Sequence, residues 1–222
     1  MWHDAALVAG KDLRVEARSR VATNQIAPFA FLVLMLFAFA LDADHSVLVK
    51  TAAGLFWVAV LFCAVLAVQR SAAIEAADGA RDQMRLSGLD PAGIFLGKAA
   101  AVAVQLAALE VLLGVGVVIL YDAPVHGAVL VVATCVTATL GLAAAGTLYG
   151  SLAAGLKVRE TLLPLLLLPV AAPVLLAATR ATQAAIDGVP GEGAGWLRLL
   201  VVFAVIYLTF GVVAFGSLLE ES

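Results

Sequence analysis

Apolar residues run along this chain in six long stretches, and short segments between them collect most of the charged side chains. A helix needs roughly 20 mostly apolar residues to cross about 30 Å of hydrocarbon, and each stretch approaches or exceeds that length. The predicted spans are residues 23–41, 47–68, 99–120, 128–156, 161–178 and 196–219. The pattern therefore predicts an all-α integral membrane protein with six transmembrane helices, forming one domain over residues 1–222.

The amino-acid composition supports a membrane location. Hydrophobic residues make up 64% of the 222 residues and charged residues 13%, with a mean hydropathy of +1.07. Soluble domains contain about 25% charged residues, so lipid must surround most of this chain. Cys63 and Cys135 both fall inside apolar stretches, where we expect buried thiols rather than a redox motif. The expected surroundings are the lipid bilayer, with no nucleic-acid partner.

Lysine and arginine are unevenly divided between the two ends of the predicted spans. Six spans place the N-terminal segment, the loop after the second span, the turn at 157–159 and the C-terminus on one side, with ten positive residues. The other side carries three, Lys50, Arg180 and Arg198. Because positive loops favour the cytoplasm, we predict a multi-pass protein of the plasma (cell inner) membrane with both termini cytoplasmic.

Residues 1–22 form a charged segment with helical periodicity. An apolar stripe recurs at spacings of three and four: Trp2, Ala6, Ala9, Leu13 and Ala17. Lys11, Arg14 and Arg18 fall on roughly the opposite face. Such a helix can lie in the headgroup layer with its cations near anionic lipid, so we predict an N-terminal amphipathic interfacial helix. The alternative is a solvated, positively charged tail that only sets the topology.

The fifth span carries three prolines, Pro164, Pro169 and Pro173. Each proline removes a backbone hydrogen bond to the preceding turn and bends the helix. Membrane helices tolerate such residues when neighbouring groups satisfy the freed carbonyls. We predict helix kinks at these positions, and two interpretations stay open: a mobile helix, or a kink fixed by packing.

Two polar residues of the third span, Gln105 and Glu110, form the candidate intramembrane polar site. A carboxyl group in mid-membrane is costly, which makes Glu110 the best single candidate for a role in transport or gating. The alternatives are a protonated glutamate, or one that is hydrogen-bonded to a neighbouring helix.

Motifs for catalysis or metal binding are missing from the sequence. No HExxH, no GxSxG and no cluster of His and Cys occurs, so we expect no catalytic residue and no metal site. The three histidines, His3, His45 and His126, each stand alone in the sequence, and a lone histidine in a loop is usually solvated. Residues 92–99, "AGIFLGKA", approach a phosphate loop but lack its first glycine and its final Ser or Thr. Any nucleotide is therefore expected on another subunit.

The loop between the second and third spans, residues 69–98, is long and polar. We predict that the second span continues as a helix to Asp78 and that Gly79 interrupts it. A short helix then follows, and Asp90 and Pro91 begin the next helix. The candidate docking residues are Glu75, Asp78, Gly79, Arg81, Asp82 and Arg85. Mixed charge of this kind suits docking onto a soluble protein, and an ordinary solvated loop is the alternative.

Three segments, taken in order, carry a resemblance over nearly the whole chain. They are "KDLRVEARSR" near the N-terminus, "DGARDQMRLSGLDPAGIFLGK" in the 69–98 loop, and "LLPVAAPVLL" with Pro169 and Pro173. In their order and spacing they resemble the CcmB family, the membrane subunit of the cytochrome c biogenesis haem exporter. That family is related to type-2 ABC transporter permeases.

The resemblance implies that the 69–98 loop is a cytoplasmic coupling helix that docks into an ABC ATPase subunit, expected as a dimer. It implies a permease that, with a haem-handling membrane subunit, delivers haem or releases a haem-loaded chaperone for cytochrome c maturation. ATP then belongs to the partner, haem is a candidate substrate, and this chain is not an enzyme. Two alternatives stay open: a type-2 ABC permease exporting another lipid or hydrophobic solute, or a non-transporting scaffold of an assembly complex.

Overall fold

The computed structural model describes residues 1–41, 44–76, 88–154 and 159–220, and every regular element in these ranges is helical. The seven α-helices are α1 (Trp2–Ser19), α2 (Ala27–Ala40), α3 (His45–Ala76), α4 (Pro91–Tyr121), α5 (Ala128–Ala154), α6 (Arg159–Ile186) and α7 (Pro190–Glu220). Six helical segments of the described chain are long and apolar enough to cross a membrane. The predicted all-α fold with six spans is therefore confirmed.

Helices α3 to α7 form the bundle, in which α5 contacts each of the other four. The helix α2 lies against α3 and α4 at the edge. Trp57 of α3 is fully buried, and its indole Nε1 donates a hydrogen bond of 2.9 Å to Thr182 Oγ1 of α6. The Tyr121 hydroxyl of α4 donates a hydrogen bond of 2.8 Å to the backbone oxygen of Leu34 on α2. These buried bonds give each polar group a partner while tying distant helices together.

A pair of glycines brings α5 close to α3. A Cβ added at Gly146 would clash with Val68 Cγ2, and one at Gly150 would lie 3.4 Å from Val68 Cγ1. Small residues one turn apart allow helices to approach closely in a membrane, where packing replaces the hydrophobic effect as the driving force. This GxxxG pair therefore forms a contact within the chain.

The fifth predicted span corresponds to α6, which continues through Pro164, Pro169 and Pro173. The helix ends at Ile186, beyond the predicted end at residue 178. It passes the charged Arg180 because Ala181 and Ala185 on the same helix are fully buried in the bundle. The prolines lie inside the helix as predicted, and the mobility of this helix stays a prediction.

The corner between α1 and α2 contains a wide helical turn. Arg20 ends α1 in the left-handed conformation with a φ of 54°. A π-turn follows over Ala22–Ile26, in which the backbone N–H of Ala27 donates to the carbonyl of Ala22. Pro28 comes next and has no N–H to offer the carbonyl four residues earlier, which favours this wider turn.

Asp44 caps the N-terminus of α3. Its Oδ1 accepts hydrogen bonds from the Ser46 hydroxyl and the Ser46 backbone N–H, both at 2.8 Å, and from the Val47 N–H at 3.3 Å. These donors, chiefly the Ser46 hydroxyl, lower the pKa of Asp44 below its ordinary value. A lowered pKa means that the cap stabilises the fold above the unfolded-state pKa of about 3.9 and is lost as the pH falls through the lower folded value.

We therefore expect Asp44→Ala to lower the melting temperature by a few degrees at pH 7. The difference from wild type should shrink as the pH falls through the folded-state pKa, because the carboxyl is then protonated in the wild type and accepts weaker hydrogen bonds. Melting curves of both proteins in one detergent, from pH 7 to below about pH 2, test this. A difference that stays constant over that whole range would contradict the charged cap.

Candidate functional site

The helix α1 packs along the first half of α4, and glycines of α4 set the distance. A Cβ added at Gly97 would lie 2.6 Å from the carbonyl oxygen of Ala5, and Gly93 approaches the α1 backbone in the same way. Ala5 and Val8 are buried in this contact. The predicted apolar stripe lies elsewhere, since Trp2 is 75% exposed. Membrane binding by that exposed face stays a prediction.

Charged side chains from three helices enclose a small cavity of about 20 Å³ beside this contact, termed here the polar pocket. Its polar lining consists of Asp12, Glu16, Arg70, Ser71, Lys98 and Gln105. Lys98 is only 2% exposed, and its Nζ lies 3.9 Å from Asp12 Oδ2. The volume is close to that of a single water molecule, so the polar pocket has no room for a substrate. Its lining residues come from α1, α3 and α4, and the pocket therefore links these three helices.

Glu16 joins the polar pocket to the corner between α1 and α2. One carboxylate oxygen accepts a hydrogen bond from the backbone N–H of Ala22, and the Ser19 hydroxyl donates to the other at 3.4 Å. Sequence reasoning missed Asp12 and Glu16. The available signal was their spacing, which continues the buried series of Ala5 and Val8 at intervals of three and four.

The predicted docking residues fall largely outside the described residues. This holds for Asp78, Gly79, Arg81, Asp82 and Arg85, and for the side chain of Glu75. Their role in docking stays a prediction.

Both ends of the 69–98 loop are described. The helix α3 continues to Ala76, as predicted for the first part of the loop. At the other end, Asp90 Oδ1 accepts a hydrogen bond of 3.1 Å from the Ala92 N–H, and Pro91 occupies the first turn of α4. The predicted cap is therefore confirmed. The helix α1 reaches this end as well, since Asp4 Oδ2 accepts from the Asp90 N–H at 3.4 Å.

A larger cavity, of about 690 Å³, opens between α4 and α5 and is termed the lateral groove. Its walls are valine, alanine and other apolar residues, and its polar lining is Glu110, Cys135, Thr139 and Thr182. Glu110 is 6% exposed and accepts a hydrogen bond from the Thr139 hydroxyl of α5. The Cys135 thiol also contacts this carboxyl group. Glu110 is thus hydrogen-bonded to a neighbouring helix, as one of the sequence-based alternatives held.

Gln105 and Glu110 are not brought together. Gln105 lines the polar pocket, whereas Glu110 lines the lateral groove. Five residues along an α-helix correspond to a rotation of about 140°, so the two side chains leave α4 in different directions. The candidate intramembrane site therefore reduces to Glu110 with its two donors from α5.

Among the described residues, no three His, Cys, Asp or Glu side chains lie together in a group that could hold a metal ion. His45 is exposed at the start of α3. His126 Nδ1 lies 2.9 Å from the backbone oxygen of Ile186, and it carries the proton because a carbonyl only accepts. Cys63 is buried as predicted, and Cys135 is half-buried in the lateral groove.

The fold and these two cavities define a multi-pass helical membrane protein with a polar junction at one end of the bundle and a lateral groove in its side. The sequence matches the family described as CcmB protein over residues 4–222. The chain belongs to the CcmB family, which confirms the resemblance noted in its sequence.

Individual relatives agree over nearly their whole length. Heme exporter protein B of Pseudomonas aeruginosa is 27% identical over 210 residues, covering 94% of each chain. Heme exporter protein B of Haemophilus influenzae is 28% identical over 205 residues, covering 92% of this chain and 93% of that one. The protein of the same name from Rhodobacter capsulatus is 24% identical over 207 residues, covering 93% of each.

Proposed function

We propose that this chain is the membrane permease subunit of an ABC exporter that delivers haem for cytochrome c maturation. The observation that carries the proposal is the match to the CcmB family across residues 4–222. Relatives that share this full length are named heme exporter protein B. The chain acts as a permease subunit and not as an enzyme.

The energy for transport is proposed to come from a separate ATPase subunit. A phosphate-binding loop offers free backbone N–H groups between a strand and a helix. Residues 92–99, which approach that motif in sequence, form the first turns of α4, where Ile94 and Phe95 are buried. This segment is helical rather than a loop that follows a strand, so we assign the nucleotide to a partner.

The ATPase, as a dimer, is proposed to dock on the 69–98 loop, which then acts as the coupling helix of a single ABC-2-like domain. In its middle, residues 75–85, three acidic and two basic residues are interspersed, a pattern that sets register on a protein partner. The two ends of the loop are anchored: Arg70 lines the polar pocket, and Asp90 contacts α1 through Asp4. Force applied to the loop would therefore reach α1, α3 and α4 together.

The proposed orientation places both termini and the 69–98 loop in the cytoplasm, with the chain in the cell inner membrane. The ten positive residues on this side, against three on the other, support it. The polar pocket supports one part of this arrangement, that α1 and both ends of the loop lie on the same side, because it gathers α1, the end of α3 and the beginning of α4 at one end of the bundle. A haem-handling membrane subunit is the second proposed partner.

Neutralising the acids of the loop tests the docking proposal. We expect Glu75→Gln, Asp78→Asn and Asp82→Asn together to reduce co-purified ATPase subunit about tenfold or more, since each exposed pair contributes up to about 1 kcal/mol. The same variant should fail to restore haem-stained c-type cytochromes in a strain from which this gene is deleted.

The matched control removes three negative charges from the opposite side, with Asp122→Asn, Asp187→Asn and Glu192→Gln. This variant should co-purify the ATPase and restore cytochromes like the wild type. Unchanged co-purification of the loop variant would overturn the docking proposal. Normal c-type cytochromes in the deletion strain would overturn haem delivery and favour export of another solute.

A further inference from the structure

The lateral groove is long as well as apolar. Along α4 its lining runs from Ala103 to Ile119, which is about 24 Å at 1.5 Å per residue and thus most of the hydrocarbon thickness. Its rim is exposed, with Val111 at 69% and Val132 at 62%. One lining residue has no side chain: a Cβ added at Gly114 would meet no described atom within 4 Å. The groove therefore has the length of a membrane span and open space beside Gly114.

An acid lies halfway along this groove. Glu110 is eleven residues before the end of α4, or about 16 Å from that end, near the middle of the membrane. Its hydrogen-bond partners among the described residues are the Thr139 hydroxyl and the Cys135 thiol, both of which donate. A carboxyl group has about four acceptor positions, so it can accept further donors from a molecule in the groove.

We propose that the lateral groove receives a transmembrane helix of another subunit, which sets a hydrogen-bond-donating or cationic side chain against Glu110. The proposal rests on the proposed function only in that the chain works beside another membrane subunit. Acidic residues inside membranes pair with such donors, and small residues let a helix approach closely.

Other occupants match the groove less well. A lipid acyl chain fits the apolar walls but offers no donor at mid-membrane depth. A cargo whose polar groups are carboxylates, as in haem, offers acceptors at the point where Glu110 calls for donors. A helix supplies both the apolar surface and the donor, in the manner of helix-in-groove recognition.

A photo-crosslinker tests the occupant directly. Benzoylphenylalanine replaces Val111 on the rim of the groove, in the full chain within its own complex in native membranes. Val213, which is 77% exposed on α7 and does not line the groove, provides the control position. We expect the Val111 position to cross-link one spanning peptide of another subunit, with Lys, Arg, His, Asn or Gln in its middle third. The Val213 position should not cross-link that peptide.

Two substitutions in the groove should change the yield. Glu110→Leu should lower it about 5- to 30-fold, as loss of an interhelical hydrogen bond of 1–2 kcal/mol predicts, while Glu110→Gln keeps an acceptor and most of the yield. Gly114→Leu should lower the yield at least as far, because the leucine side chain would occupy the open space that Gly114 leaves in the groove. Gly195→Leu, also in open space but on α7, should leave the yield unchanged.

The proposal would be overturned by a cross-link to lipid alone, or by one to a second copy of this chain. It would also be overturned if the yield were unchanged in both Gly114→Leu and Glu110→Leu. Should Glu110→Leu fail to fold by size-exclusion chromatography, Gly114→Leu alone decides. The cross-link is read without reference to cytochromes. Normal cytochromes in the deletion strain would thus overturn the proposed function and leave this inference standing, whereas a lipid adduct would do the reverse.

Discussion

Replacing Lys98 with methionine is expected to lower the free energy of unfolding by about 1–3 kcal/mol, the range for leaving a buried polar group without its partner. Lys98 is 2% exposed, and its Nζ lies 3.9 Å from Asp12 Oδ2. That oxygen is buried and has no hydrogen-bond partner among the described residues. Methionine keeps most of the volume of the lysine stem, so the loss reports mainly on the missing charge.

Lys11 provides a matched control, because it pairs with the same carboxylate. Its Nζ lies 3.0 Å from Asp12 Oδ1, which is the shorter contact, but the side chain is 51% exposed. Exposed pairs contribute about 0–1 kcal/mol, so Lys11→Met should cost less than about 1 kcal/mol. Denaturant unfolding of both variants in one detergent measures this. Equal losses would contradict the assignment of the stabilisation to the buried pair.

Removing both charges separates electrostatics from packing. The double variant Lys98→Met with Asp12→Asn should recover more than half of the stability lost in Lys98→Met, because no uncompensated buried charge remains. A double variant as unstable as Lys98→Met alone would indicate that other contacts of the lysine carry the effect.

The six spans were predictable because the hydrocarbon core imposes one length on every crossing helix. The start of α4 was predictable for a local reason, since Asp90 and Pro91 satisfy the first turn within a few residues. The end of α6 was not predictable from hydropathy, because hydropathy ends a span near the first charged residue, here Arg180. Packing decides where the helix stops, and the fully buried Ala181 and Ala185 keep it helical beyond that arginine.

The sequence periodicity of α1 alone could not predict which of its faces is buried against the protein. An interfacial helix has two apolar neighbours, lipid and protein, and an apolar stripe does not distinguish them. The protein contact selects small side chains that fit against Gly93 and Gly97, so Ala5 is buried while Leu7 is 52% exposed. The glycines that decide this lie on another helix, far along the chain.

The polar pocket and the lateral groove depend on tertiary contacts in the same way. Lys98 belongs to a polar loop in the sequence, yet α1 covers it and Asp12 pairs with it. Gln105 and Glu110 share one span, but the direction in which each leaves α4 decides its partners. Polarity inside a span could be recognised from the sequence, and its partners could not.

Replacing Gly97 with valine is expected to separate α1 from α4 and to lower the free energy of unfolding by roughly 3 kcal/mol, near the upper end of overpacking costs. The added Cβ would lie 2.6 Å from the Ala5 carbonyl oxygen and 2.7 Å from Val8 Cβ. Neither atom ends a flexible side chain, so the helices must move apart. Faster tryptic cleavage within α1, together with denaturant unfolding, measures the separation.

Gly114→Val makes the same change on the same helix in open space, so its stability should stay equal or rise slightly, because valine favours a helix more than glycine does.

If α1 leaves α4 in Gly97→Val, Asp12 moves away from Lys98, and that ion pair is already broken. Adding Lys98→Met to Gly97→Val should therefore cost much less than Lys98→Met costs alone, since the two changes act on one contact. Full additivity would mean that α1 stays docked and that the glycine sets only local packing.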